Sequence, residues 1–166
     1  MKLSVVLAVF NEENNLGDCL KSVEDIADEI IIVDGGSSDR TVEIAGSYEA
    51  KIIETDNPPI FHINKQKALE YASYEWILQL DADERITPAL SREIKKVIEM
   101  NNEKLNDYED KLPNKGLFLR HQKLVEERDG RVGDKEGEFN AFFIPRKNFF
   151  LGKYLRYGGT YPDPAI

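Results

Sequence analysis

The sequence predicts an α/β fold with a mostly parallel central sheet flanked by helices. Apolar, β-branched runs recur between residues 3 and 80, and segments with helical periodicity lie between them. Strands that alternate with helices form βαβ units, whose strands are parallel. Three of the runs end abruptly at acidic or glycine-rich clusters. Because the carboxyl ends of parallel strands meet at one edge of a sheet, we expect these polar clusters to lie together.

The first βαβ unit has the strongest pattern. Leu3–Phe10 is a nearly continuous apolar run, which is typical of a strand buried on both faces. A polar cluster follows at residues 11–15, and apolar residues then recur at helical spacing at Leu16, Cys19, Leu20 and Val23. Ile30–Val33 is predicted to be a second buried strand.

The second unit is shorter. Thr41–Tyr48 is predicted to be a helix capped by Ser38 or Asp39, since both side chains can accept a hydrogen bond from a first-turn N–H group. Lys51–Glu54 is predicted to be a third, weaker strand.

The third unit completes the predicted sheet. Ile63–Ala72 is expected to be helical, and Trp76–Leu80 is expected to be the fourth strand. Pro88 is expected to open a helix that runs to about Met100, because proline is tolerated in a first turn.

The pattern changes after residue 100. Asn101–Lys115 is polar and is predicted to be a surface loop, whereas Gly116–Leu119 and Phe139–Ile144 are predicted to be strands. The charged segment Glu126–Gly137 between them is expected to be a solvated hairpin tip or mobile loop. Phe149–Tyr161 is aromatic and rich in glycine, and we expect it to be irregular and to cover the sheet or line a pocket.

Composition excludes several classes of protein. The 166 residues carry 31 acidic and 22 basic side chains, a net charge of −9, which disfavours binding to a nucleic-acid backbone. A single cysteine, Cys19, excludes an internal disulfide framework and a cysteine-rich zinc site. The apolar run at the N-terminus is too short to span a bilayer and no small-residue cleavage site follows it, so a cytoplasmic location is expected, with peripheral contact with the inner face of the membrane left open.

Asp81 and Asp83 are the strongest candidates for chemistry. They follow the fourth predicted strand, where residues two apart can face the same side. Two carboxylates held close together repel each other unless a cation lies between them. Carboxylate oxygens favour Mg²⁺ or Mn²⁺, and substrate phosphates often complete the coordination shell of these ions. The alternative is a polar turn before the Pro88 helix.

The other strand ends carry weaker candidates. Asp34 can accept hydrogen bonds from ribose hydroxyls or a base N–H, although a glycine-rich turn is the alternative. Glu12 can equally serve the first turn of a helix. Lys65 and Lys67 are candidate counter-charges for a phosphate. The sequence contains no dinucleotide-binding G-x-G-x-x-G motif after the first strand, no P-loop and no nucleophile elbow.

Residues 4–13, 31–41 and 76–84 together resemble three ordered motifs of the family 2 glycosyltransferases. Residues 149–163 are similar to the subgroup that includes bacterial lipopolysaccharide-core glucosyltransferases. The resemblance implies a GT-A fold, an inverting mechanism, a nucleotide-diphosphate-sugar donor that is commonly UDP-linked, and a cell-envelope glycan or lipid-linked acceptor.

The resemblance also implies roles for individual residues. The divalent metal, Mg²⁺ or Mn²⁺, would be held by Asp83. Lys65 and Gln66 occupy the positions where the family often has Arg-Asn. A phosphate contact there would therefore come from a lysine ammonium group and not from the bidentate guanidinium of an arginine. The nucleotide-sugar site would be formed by Phe10, Glu12, Asp34, Lys65, Asp81 and Ala82.

An inverting transfer needs a general base, which in this family usually lies well downstream of the D-x-D motif. Asp163 is the only late carboxylate in a plausible region, and we do not expect it to be the base. We therefore expect the chain to be cut short, with the base beyond Ile166. On this view, residues 1–100 are the nucleotide-sugar-binding half of one domain, residues 101–166 begin the acceptor half, and exposed apolar surface favours self-association.

Two other functions are compatible with parts of the pattern. A haloacid-dehalogenase-type phosphatase also places two aspartates after a buried strand, but it wants Thr or Val where this chain has Arg85. A non-catalytic nucleotide-sugar-binding domain would keep the fold without turnover.

Overall fold

The computed structural model describes residues 1–57 and 62–109, together with residues 111, 116, 123, 127, 142, 144–150, 153–154 and 163–165. The chain forms two compact units, Met1–Glu99 and Met100–Ile166. None of the described helices is both long and apolar enough to cross a bilayer.

The first unit is a parallel sheet with crossover helices. The strand order is β3-β2-β1-β4, and every pairing within it is parallel, as the sequence predicts. In chain order the elements are β1 (Leu3–Val9), α1 (Leu16–Val23), β2 (Glu29–Asp34), α2 (Thr41–Ser47), β3 (Lys51–Glu54), α3 (His62–Glu70), β4 (Trp76–Leu80) and α4 (Pro88–Ile98).

The core lies on both faces of β1 and on the inner stripe of α1. All seven residues of β1 are buried, because a strand pairs on each side of it and apolar residues cover it. Leu16, Cys19, Leu20 and Val23 of α1 are each fully buried. The apolar run and the helical spacing in the sequence are therefore explained by burial at the centre of the sheet.

The amino ends of the strands are tied together by one carboxylate. Glu29 at the start of β2 accepts hydrogen bonds from the Ser4 hydroxyl at 2.5 Å, the Ser73 backbone N–H at 2.6 Å and the Ser73 hydroxyl at 3.0 Å. Burial works to raise the pKa of Glu29, but these hydrogen bonds outweigh it and hold the pKa below its ordinary value. The ionised carboxylate thus anchors the segment before β4 to β1 and β2.

The helix starts differ in how well the sequence identifies them. α4 begins as predicted at Pro88, and the Thr87 hydroxyl caps it by accepting a hydrogen bond from the Leu90 N–H at 3.2 Å. The predicted cap of α2 is wrong by one position, since its N-cap residue is Arg40, which makes no side-chain cap. The carboxylate of Asp39 instead accepts a hydrogen bond from the Thr41 N–H at 2.9 Å.

The second unit corrects two expectations. Asn102–Glu109 forms a helix, α5, within the segment predicted to be a loop. Leu105 is buried there, and the side chain of Asn101 accepts a hydrogen bond from the Lys104 N–H at 3.0 Å. Among the described residues, the buried Leu105 and this cap support a helix whose polar composition hides it in the sequence.

The aromatic tail Phe149–Tyr161, predicted to be irregular, contains two short strands among its described residues. After β5 (Ile144–Arg146), which precedes the tail, these are β6 (Phe149–Phe150) and β7 (Lys153–Tyr154), and they pair antiparallel. β5 pairs antiparallel with β8 (Asp163–Ala165), which follows the tail.

The predicted strands at Gly116–Leu119 and Phe139–Ile144 and the predicted hairpin at Glu126–Gly137 lie largely outside the described residues. Gly116 and Glu127 are described and both are helical, so the strand and hairpin predictions are wrong at these two positions.

Candidate functional site

The carboxyl edge of the sheet brings the predicted acidic clusters together. Val9 of β1 is in register with Asp34 of β2, and Leu7 of β1 is in register with Leu80 of β4. The three loops that follow β1, β2 and β4 therefore leave the sheet side by side. This is the position at which parallel α/β sheets bind ligands.

Asp34 is the most buried acidic residue of this edge, with 2% of its surface exposed. Its Oδ2 accepts hydrogen bonds from the backbone N–H groups of Gly36, at 3.0 Å, and Ser37, at 2.8 Å. Its Oδ1 accepts a hydrogen bond from the Ser37 hydroxyl at 2.5 Å. Three donors compensate the buried charge, so the carboxylate has a fixed orientation.

The loop after β1 is bonded to the loop after β2. The Asn11 N–H donates to Oγ of Ser37 at 2.8 Å, and the Ser38 N–H donates to Oδ1 of Asn11 at 2.8 Å. Asn11 has a φ of 54°, in the left-handed region that Asn tolerates better than most residues. The Asn11 side chain and its backbone conformation thus both serve the junction between the two loops.

A second set of bonds continues the junction toward the helices. The Glu12 N–H donates to Oγ1 of Thr41 at 2.7 Å, and the Glu13 N–H donates to Oδ2 of Asp39 at 3.0 Å. Burial tends to raise the pKa of Asp39, but the hydrogen bonds from Thr41 and Glu13 hold it below its ordinary value. Asp39 therefore holds the loops together, in agreement with the structural role that the sequence favours for it.

Glu12 also has a structural role. Its Oε2 accepts a hydrogen bond from the Asn15 side-chain amide at 2.9 Å, and its carbonyl accepts the N–H groups of Asn15 and Leu16. The carboxylate thus lies in the turn that starts α1, which is the alternative that the sequence leaves open for it. Phe10, which precedes Asn11 in the loop directly after β1, has 42% of its surface exposed.

An open pocket of about 590 Å³ lies beside Asp34. Its described lining residues come from the loop after β2 and from the end of β3, and they are Asp34, Gly36, Ser37, Glu54, Thr55 and Asp56. Sequence reasoning missed the residues at the end of β3, although Glu54 is in register with Asp34 on the neighbouring strand. The described lining includes three acidic residues and no basic one, and one ammonium, that of Lys67, donates to Oγ1 of Thr55 at 3.0 Å, so the pocket suits a neutral group with N–H or O–H donors better than a phosphate.

Asp81 and Lys65 form an ion pair at the end of β4. Nζ of Lys65 lies 2.5 Å from Oδ1 of Asp81, and the two side chains are 18% and 34% exposed. The N–H of Asp81 donates to Oε2 of Glu84 at 2.9 Å, which closes the turn after the strand. Lys65 is therefore fixed beside the D-x-D segment rather than freely solvated.

The two aspartates of the D-x-D segment have different environments. Asp83 is exposed and has no hydrogen-bond or ion-pair partner among the described residues, whereas Ala82 between them is buried. No group of three His, Cys, Asp or Glu side chains within the described residues is arranged to hold a metal ion. The D-x-D segment thus offers a metal one carboxylate without a described partner, and the described residues form no closed cage around it.

Cys19 packs beneath the same turn. Its thiol is fully buried and donates to the Asp81 carbonyl at 3.6 Å, and burial raises its pKa to about 12. A thiol with this pKa stays protonated and unreactive at neutral pH.

The sequence model of glycosyl transferase family 2 matches residues 4–153 of the chain. The chain belongs to this family. The match includes every element of the carboxyl edge, and it confirms the family and the GT-A fold that the three motifs indicate. It also removes the phosphatase alternative.

Two curated glycosyltransferases match about three fifths of the chain. The lipopolysaccharide core biosynthesis glycosyltransferase LpsC of Rhizobium meliloti is 36% identical over 111 residues, which cover 62% of this chain and 39% of that protein. An uncharacterized glycosyltransferase of Rickettsia bellii is 34% identical over 103 residues, which cover 61% of this chain and 34% of that protein.

Among solved structures, S. aureus TarS (residues 1–349) is 26% identical with a TM-score of 0.53, covering 59% of this chain and 32% of that one. The same protein in complex with UDP is 25% identical with a TM-score of 0.50, covering 60% of this chain and 32% of that one. The chain therefore spans between 32% and 39% of the length of these relatives.

Proposed function

We propose that this family 2 chain binds a nucleotide-diphosphate-sugar, with UDP as the nucleotide, at the carboxyl edge of its sheet. The full activity would be an inverting transfer of the sugar to a cell-envelope glycan or lipid-linked acceptor. The observation that carries the proposal is the buried, fixed carboxylate of Asp34 at the wall of an open pocket, where the loop after β2 is hydrogen-bonded to the loop after β1. The UDP complex of S. aureus TarS, which shares the fold, supports the choice of nucleotide.

The nucleoside would occupy the pocket beside Asp34. The neighbouring glycines permit a close approach, since Gly36 has a φ of 83°, which side-chain-bearing residues rarely adopt. A Cβ on Gly35 would lie 3.4 Å from the Asn57 side chain and from the Val9 carbonyl, which leaves little room there for a larger residue. Phe10, exposed at the end of β1, offers an aromatic surface for the base.

The diphosphate would lie toward the loop after β4. Among the described residues of α3, Lys65 is the only one whose basic side chain contacts the D-x-D segment. It is already paired with Asp81. In this proposal Asp81 holds Lys65 in position and contacts the ribose or sugar, while Lys65 supplies one positive charge to the phosphates. The remaining negative charge requires a cation in a protein with a net charge of −9.

A divalent metal fits the donor set at Asp83 if the nucleotide supplies most of its ligands. Mg²⁺ and Mn²⁺ are commonly held by one or two carboxylates together with substrate phosphates. Asp83 is exposed and has no hydrogen-bond or ion-pair partner among the described residues, so its carboxylate is available for such a role. When bound, the metal would neutralise the departing diphosphate.

The test is calorimetric titration of UDP into the 166-residue chain, in Mn²⁺ and in EDTA. We expect binding in Mn²⁺ that is much weaker in EDTA, and we expect Asp83→Asn to weaken binding only in Mn²⁺. Asp25→Asn is the matched control, because it removes the same charge from an exposed position before β2, at the other end of the sheet. Failure of the wild-type chain to bind UDP in Mn²⁺ would reject the proposed function, and equal binding by Asp83→Asn would reject only the metal ligand.

A further inference from the structure

One hydroxyl group lies at the junction of the candidate donor site. Oγ of Ser37 donates to Oδ1 of Asp34 at 2.5 Å and accepts from the Asn11 N–H at 2.8 Å. The backbone N–H of the same residue donates to Oδ2 of Asp34 at 2.8 Å. Ser37 thus contacts both oxygens of the carboxylate and the backbone of the neighbouring loop.

The remaining capacity of Asp34 can be counted from these bonds. An ionised carboxylate has about four acceptor positions, two on each oxygen. Among the described residues, Oδ2 receives the N–H groups of Gly36 and Ser37, and Oδ1 receives the Ser37 hydroxyl. One acceptor position is therefore left, on Oδ1, and Ser37 sets its direction.

We propose that Ser37 is a positioning and specificity-determining residue, which aims the last acceptor position of Asp34 at a base with a single ring N–H. This inference rests on the proposed function and deepens it, because it assigns the choice of nucleobase to a residue that the family resemblance left unassigned. Uracil presents one such N–H, at N3. Cytosine has an unprotonated N3, which would face the carboxylate lone pair unfavourably.

Removal of the hydroxyl has a specific expected effect. In Ser37→Ala, Oδ1 of Asp34 loses its only described donor and the carboxylate can rotate, while the two backbone N–H groups still bind Oδ2. A hydrogen bond to a charged acceptor weakens steeply when it is misaligned, so the loss of alignment should weaken UDP binding about tenfold. CDP binding should not weaken, since cytosine makes no such bond in the wild type.

This difference separates positioning from general loosening of the loop. A loosened loop would weaken UDP and CDP by the same factor, because the two nucleotides share their ribose and diphosphate. Ser38→Ala is the matched control, since the hydroxyl of Ser38 makes only a 3.4 Å bond to Asn11 and its backbone bond is unaffected. We expect Ser38→Ala to leave the ratio of UDP to CDP affinity at the wild-type value.

The experiment is calorimetric titration of UDP and CDP into the 166-residue chain in Mn²⁺, for the wild type and the variants Ser37→Ala, Ser37→Thr and Ser37→Val. Thr and Val have nearly the same shape, and only Thr keeps the hydroxyl. We expect the ratio of UDP to CDP affinity to fall about tenfold in the Ala and Val variants and to be restored in the Thr variant.

The inference is overturned if the wild type binds UDP but the Ala and Val variants keep its nucleotide ratio, or lose affinity for both nucleotides equally. It is also overturned if neither hydroxyl-free variant folds, because Ser37 would then be required by the fold itself. If the wild type binds neither nucleotide, the proposed function has failed, which is a different result from these.

Discussion

Replacing Asp34 with asparagine should reverse the nucleotide preference of the site with little loss of stability. Two backbone N–H groups donate to Oδ2 of Asp34, so the amide oxygen of an asparagine must take that place. The amide nitrogen then takes the place of Oδ1 beside the hydroxyl of Ser37, which can accept a hydrogen bond from it. The position that faces the base changes from an acceptor to a donor.

The size of the effect follows from the bonds that change. UDP loses a charge-assisted hydrogen bond of about 1.5–3 kcal/mol, which corresponds to a loss of affinity of roughly 10- to 100-fold. CDP gains a hydrogen bond from the amide to the cytosine N3, so its affinity should rise. For stability, Asp34→Asn keeps both backbone bonds and should cost about 1 kcal/mol, because one charge-assisted bond becomes neutral.

Asp34→Ala gives the comparison that tests this reasoning. The alanine variant leaves three donors without their acceptor, but Gly36 is exposed and Ser37 is half-buried, so water can reach them. We expect the fold to survive with a loss of about 2–3 kcal/mol in the free energy of unfolding and with weaker UDP binding but no gain for CDP.

Urea unfolding measures the stabilities, and calorimetry with UDP and CDP measures the affinities. Asp56→Asn is the matched control, since Asp56 lines the same pocket and the change removes the same charge. It should change the two affinities by equal factors. An asparagine variant at position 34 that still prefers UDP, or that is less stable than the alanine variant, would refute the assigned hydrogen-bond geometry.

Two further predictions concern stability and turnover. The pKa of Glu29 in the folded chain is held below its ordinary value of 4.5. The ionised Glu29 carboxylate therefore contributes fully to the free energy of unfolding above pH 4.5, and this contribution is lost as the pH falls through the folded-state pKa. Glu29→Gln should therefore lower the free energy of unfolding at pH 7 and reduce its decrease between pH 7 and pH 3, both measured by urea unfolding. The exposed control Glu24→Gln should do neither. If the free energy of unfolding of Glu29→Gln fell with pH as it does in the wild type, the prediction would be contradicted. For turnover, we expect the 166-residue chain, which spans 32–39% of the length of its relatives, to bind UDP-sugars but to transfer sugar poorly, since general-base assistance typically contributes 10²–10⁴-fold in rate. Rapid transfer to lipid-linked or oligosaccharide acceptors, followed by release of UDP, would place the base within the chain and make Asp163 the first residue to replace.

The sequence alone was sufficient for the architecture of the first unit. β1 and most of β2 are buried on both faces and α1 has one buried apolar stripe, so hydrophobic periodicity identifies these elements most clearly. The parallel topology also follows from the alternation of strands and helices, and it brings the acidic clusters to one edge. The second unit was less predictable, because the polar sequence of α5 has no repeated apolar pattern, and its buried Leu105 and its cap are seen only in the structure.

The sequence also identified most residues of the candidate site but not their relationships. Strand ends marked Asp34, Asp81 and Asp83, since ligand sites in parallel sheets lie where strands end. Spacing could not show that Lys65 pairs with Asp81, because these residues come from different elements and meet only in the folded chain. Glu54 was missed for the same reason, since its place beside Asp34 depends on the register between β2 and β3.

The sequence therefore determined which residues lie at the functional edge, and the tertiary structure decided what each of them can do there. The spacing of apolar residues along the chain shows which residues are buried and in what order the strands and helices follow one another. Hydrogen-bond capacity depends on which donors arrive from neighbouring loops. Asp34 has one acceptor position left because Gly36 and Ser37 occupy the others, and Asp83 is available because no described residue reaches it. Such differences arise from three-dimensional proximity, which a linear pattern does not contain.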